Sequence, residues 1–78
     1  MKTMTCRQLG GACDETFRAD TFEEIAGLSQ AHGRAMFEAN DAAHLAAMKA
    51  MGELMHDPQA MKAWMDERRS EFDALPED

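Results

Sequence analysis

Two thiols and three imidazoles are the groups in this chain most suited to chemistry. Cys6 and Cys13 lie in the stretch Met4-Thr-Cys-Arg-Gln-Leu-Gly-Gly-Ala-Cys-Asp, and His32 follows on a segment with helical periodicity. Thiolate sulfur and imidazole nitrogen are the ligands that zinc takes in structural sites, usually four in a tetrahedral array. Cys6, Cys13 and His32 supply three of them. His44 is the best candidate for a fourth, and Asp14, beside Cys13, is an oxygen alternative. Six residues separate the cysteines, where two to four are usual in zinc fingers. The competing reading is two small buried hydrophobes and one hydrogen-bonded core histidine. A disulfide across the pair is geometrically open but disfavoured in a reducing compartment. Cys13 with His32 would also suit a thiolate–imidazole nucleophile, but no third group orients the histidine.

The elements that must position these residues follow from period and punctuation. Residues 3–19 alternate around Gly10-Gly11 and predict a β-hairpin, with both cysteines on its buried face beside Met4, Phe17 and Ala19. Thr21-Phe-Glu-Glu24 is a capping box opening a helix over 21–39. Its stripe is Ile25, Leu28, His32, Met36 and Ala39, with His32 at the centre. A second helix over 41–56 has an unusually wide apolar arc, with His44 near its middle, so it is either sandwiched within the fold or buried at a subunit interface. Asp57-Pro58 caps a third helix over 58–74, and 76–78 reads as a frayed tail. The expected fold is α+β, a single domain in which an N-terminal two-stranded antiparallel hairpin packs on a three-helix unit.

Eight methionines against four Phe and one Trp make this core loosely specified and its surface adaptable. Met48, Met51, Met55, Met61, Trp64 and Met65 are the candidate interaction surface, for an unidentified protein partner or a homodimer. Thioethers at this spacing beside His44 also suit copper(I), although any buried helix repeats in the same way. Arg68 lies within the apolar stripe of the third helix, either snorkelling to water or pairing with Asp14 or Glu15. A net charge of −7 argues against nucleic acid and anionic membranes. No apolar run reaches the length of a membrane span, and Met-Lys-Thr-Met-Thr-Cys is not a secretory signal. A cytoplasmic protein with reduced cysteines is expected. No phosphate loop, nucleophile elbow or paired metal-histidine motif indicates an enzyme.

Cys-x-x-Leu-Gly-x-x-Cys-Asp, followed by an acidic-capped helix carrying a histidine, resembles the small prokaryotic domain of unknown function 1059 family over about the first half of the chain. The resemblance implies that Cys6, Cys13 and His32 correspond to the family's cysteines and first histidine. Its second histidine position falls on Phe37, which removes that ligand and suggests that packing by Phe37 fills its space. The family has no established activity. Taken together, the reading favours a non-catalytic binding or assembly module without a cofactor. The alternative is a zinc-type protein using Cys6, Cys13, His32 and His44.

Overall fold

Polar–apolar alternation at the N-terminus forms a two-stranded antiparallel sheet in the computed structural model, which describes residues 1–78. Strand β1, Lys2–Thr5, pairs with β2, Thr16–Ala19, with Met4 opposite Phe17 and Lys2 opposite Ala19. One face of this sheet is buried through Met4, Phe17 and Ala19. Three helices follow: α1, Phe22–Glu38; α2, Ala42–Met55; and α3, Pro58–Ala74. The α+β architecture expected from the sequence is therefore present.

The buried core is small: Met4, Cys6, Phe17, Ala19, Phe22, Ile25 and Phe72. Phe22 and Phe72 meet edge-on at 6.0 Å and join the first turn of α1 to the end of α3. Arg69 of α3 lies over the Phe22 ring and bonds Glu23 at 2.6 Å, securing the same junction. Helix α2 packs against both α1 and α3, with Leu45, Ala47, Met48, Met51 and Leu54 only partly buried.

Each helix begins on a side-chain cap. Thr21 Oγ1 accepts the Glu24 N–H at 3.2 Å, and the Glu24 carboxylate binds the Thr21 hydroxyl instead of closing the expected box on the backbone. Asp57 accepts the N–H groups of Gln59 and Ala60, ahead of Pro58. Between α1 and α2, Asn40 takes φ 55, Asn40 N–H donates to Phe37 O and Asp41 N–H donates to Met36 O. This is a Schellman ending, and asparagine tolerates its left-handed residue better than most side chains. The turn delivers Asp41 directly to the N-cap of α2.

Four sequence expectations need correcting here. The two strands are four residues each, so the cysteines lie in the connection 6–15 and not on the strands. Leu28 is exposed despite its place in the α1 stripe, because the sheet covers only part of that helix. Of the two readings of Arg68, pairing with Asp14 is overturned, because Asp14 pairs with Arg7, while Arg68 stacks on Trp64 and reaches the exposed Glu67 and Glu71 of its own helix. The tail is not frayed: the Asp78 carboxylate accepts from the Thr3 hydroxyl and from Arg18 Nε at 3.1 Å, and Asp78 N–H donates to Met1 O.

The Thr3 hydrogen bond, followed by Arg18, holds the Asp78 carboxyl below its usual pKa, and Arg69 does the same for Glu23. A depressed folded-state pKa contributes stability above the unfolded value, and that contribution disappears as pH falls through the folded value. Asp78→Asn is accordingly expected to lower Tm at neutral pH. The difference from the unsubstituted protein should begin to shrink near pH 4, where free carboxylates protonate, and close only below the lowered folded value. Melting curves at both pH values check this, and a pH-independent difference would contradict it.

Candidate metal centre

The first two potential ligand atoms come from a compact loop. Beyond the strand pairs, Cys6 N–H donates to Glu15 O at 2.8 Å and Arg7 N–H to Cys13 O at 2.9 Å, which draws the two cysteines together. A single 3-10 turn, Arg7–Leu9, follows Cys6. Thr5 N–H donates to the Gln8 side chain while Gln8 N–H donates to the Thr5 hydroxyl, fixing the entry to that turn. Gly10 closes it at φ 90, a left-handed conformation that glycine adopts without cost from a side chain. Gly11 N–H then returns to Cys6 O at 2.8 Å. The Gly11 backbone passes so close over Cys6 that a Cβ there would overlap Cys6 Sγ.

The other two ligand atoms come from helices. His32 lies midway along α1, its ring edge-on to Phe17 at 5.6 Å and to His44 at 5.2 Å. His44 lies in the first turn of α2 and is buried. Its backbone N–H and its ring Nδ1 both bond Asp41 Oδ2, at 3.0 and 2.6 Å. A ring that donates from Nδ1 presents a free electron pair at Nε2 when neutral. That nitrogen faces Cys6 Sγ at 3.6 Å, and His32 Nε2 faces Cys13 Sγ at 3.3 Å.

One potential ligand atom from each of Cys6, Cys13, His32 and His44 lies within 4.8 Å of the other three. A zinc ion with Zn–S near 2.3 Å and Zn–N near 2.0 Å in tetrahedral array sets sulfur and nitrogen about 3.5 Å apart. The two sulfur–nitrogen distances match that spacing, so this group can hold a metal ion. Asp41 lies behind it, bonded to His44 Nδ1, where a carboxylate would orient a ligating imidazole. The Asp41 hydrogen bond also raises the His44 pKa, with a smaller contribution from the Cys13 thiol and opposition from burial. Reciprocally, His44 lowers the pKa of Asp41.

His44 therefore completes the set, while Phe37 takes no part in it. Phe37 is 61% exposed and fills no ligand space. Asp14 is drawn away to Arg7, and His56 is exposed. Of the candidate interaction surface, Met48, Met51, Met61, Trp64 and Met65 are half-buried and only Met55 is exposed. The sequence marks Asn40-Asp41 as the end of the first helix and the cap of the second, but not the Asp41 bond to the His44 ring; Gly11 reads only as a turn residue, because its approach to Cys6 depends on tertiary structure.

Neither family models, curated proteins nor solved structures give a match to this chain. The capacity of this group to hold an ion rests on its geometry alone.

Substituting Asp41→Asn retains a capping oxygen for α2 but removes the carboxylate behind His44. Zinc affinity is expected to fall by about 10- to 100-fold, the usual effect of losing such a partner. Competition against a chromophoric chelator measures it. Unchanged affinity would show that Asp41 serves α2 alone.

Proposed function

We propose that this protein is a small zinc-type metalloprotein holding one structural ion through Cys6, Cys13, His32 and His44. The observation that carries the reading is the convergence of four soft ligand atoms within 4.8 Å of one another. Two thiolates and two imidazoles suit zinc and related soft or borderline ions, and a full shell of four protein ligands is the structural arrangement, not the catalytic one. The ion's role is to fasten the loop 6–15 to α1 and α2, which the small core does weakly by itself. The resemblance noted for the first half of the chain aligns Cys6, Cys13 and His32 with the family's cysteines and first histidine, and its second-histidine position is Phe37. In this chain the fourth ligand is His44, with Phe37 outside the shell.

Elemental analysis of protein expressed in ordinary medium is expected to return about one zinc per chain. Removing it with a strong chelator is expected to lower Tm, and added zinc should restore it, since an ion that binds only the folded state stabilises it. A metal-free protein whose melting ignores zinc would overturn the reading.

The ion-fastened domain is read as non-catalytic, and its acidic surface favours a protein or small-molecule partner over nucleic acid. No helix is long and apolar enough to cross a membrane.

A further inference from the structure

A cavity of about 370 Å³ lies between α1 and α2 against the metal centre. Cys6, His32 and His44 border it, together with Leu9, Met48, Met51 and Met55. Its volume is within the range of small-molecule sites, which are mostly apolar with a few polar groups. Ser29 and Gln30 supply such groups, a hydroxyl and an amide, and no Asp, Glu, Lys or Arg is among the lining residues.

The glycines give a second observation. Of the five in the chain, Gly10, Gly11, Gly33 and Gly52 line this cavity, while Gly27 is exposed and does not. Gly33 and Gly52 lie inside α1 and α2, where glycine weakens a helix relative to alanine. No close packing within the chain demands them. A Cβ at Gly52 would meet nothing within 4 Å, and one at Gly33 only the Met48 methyl at 3.7 Å. Their effect is to leave the space open from both helices.

We propose that this cavity is a binding site for a small, uncharged aromatic molecule carrying one hydrogen-bonding group. Methionine thioethers make favourable contacts with aromatic rings and adapt to their shape, and three methionines line this space. The His32 ring offers an edge or face to the same ligand. The absence of charged lining residues and the net charge of −7 disfavour an anion. The polar group of the ligand would be met by Ser29 or Gln30. This goes beyond the metal reading and does not require it, because the cavity is formed by the fold.

The test titrates the full chain with indole and follows methionine methyl signals by NMR. Met48, Met51 and Met55 are expected to shift saturably, and the fully buried Met4 to stay in place. Gly52→Leu fills the cavity from α2 and Gly33→Leu from α1. Each is expected to weaken indole binding by about tenfold or more while leaving the Met4 signal unchanged. If one variant does not fold, the other decides. Met51 borders both this cavity and the smaller groove beside Trp64, so saturable shifts at Met61 and Met65 with Met48 and Met55 unmoved would put the ligand in that groove and overturn the assignment. So would the absence of saturable shifts at millimolar indole, or wild-type affinity in a folded variant.

Discussion

Replacing Cys6 by serine is expected to weaken zinc binding by at least about 100-fold and to remove much of the melting-temperature gain that zinc gives the unsubstituted protein. Serine keeps the size of the side chain but offers no thiolate at neutral pH, so one of four ligands is lost. Structural zinc sites of this kind bind with roughly 10–16 kcal/mol in all, or on the order of 3 kcal/mol per ligand. Losing one therefore weakens binding by at least about 100-fold. The consequence for the fold is greater than in a larger domain. Only eight of the 78 residues are buried, and Cys6 is one of them. Domains of this size lean on metals or other fastenings because their cores are small. Binding titrations and thermal melts with and without zinc check both halves of this expectation. Unchanged zinc affinity in the folded Cys6→Ser protein would remove Cys6 from the site.

The second large effect is expected at Gly11. Alanine there would drive its Cβ into Cys6 Sγ, so the loop or the sulfur must move. Only Gly10 among the glycines has a positive φ, so the penalty at Gly11 is steric and not conformational. Overpacking of this kind costs about 1–3 kcal/mol, and displacing Sγ also spoils a shell whose atoms must sit within a few tenths of an ångström. Gly11→Ala should therefore lose both stability and zinc affinity. Gly52→Ala is the contrasting control: its Cβ meets nothing within 4 Å, and helix propensity should stabilise it by up to about 1 kcal/mol. Equal effects at the two glycines would contradict the contact described over Cys6.

Much of the site was legible because local chemistry and tertiary structure agreed. The alternation around Met4 and Phe17 marked the buried face of the sheet, and Thr21 and Asp57 marked helix starts that the structure keeps. His32 and His44 were placed by helical period, which survives packing. The connection 6–15 was not legible in the same way. Gly10-Gly11 suggests a tight hairpin turn, but the reversal is built from a 3-10 turn locked by Thr5 and Gln8, and such short turns leave no period to read. Phe37 illustrates the opposite failure. The resemblance put Phe37 at a ligand position and implied that it fills that space, whereas its place in the last turn of α1, beside the Asn40 ending, leaves it facing solvent. Asp41 was legible as the cap of α2, but its bond to the His44 ring was not, because it depends on the side-chain rotamer that the buried imidazole takes.

X-ray absorption on the zinc-loaded protein tests the metal assignment most directly. A single ion held by Cys6, Cys13, His32 and His44 requires a four-coordinate shell of two sulfurs near 2.3 Å and two nitrogens near 2.0 Å. A shell of oxygen and nitrogen alone, or one lacking the imidazole scattering pattern, would mean that zinc sits elsewhere and that the four side chains are core residues.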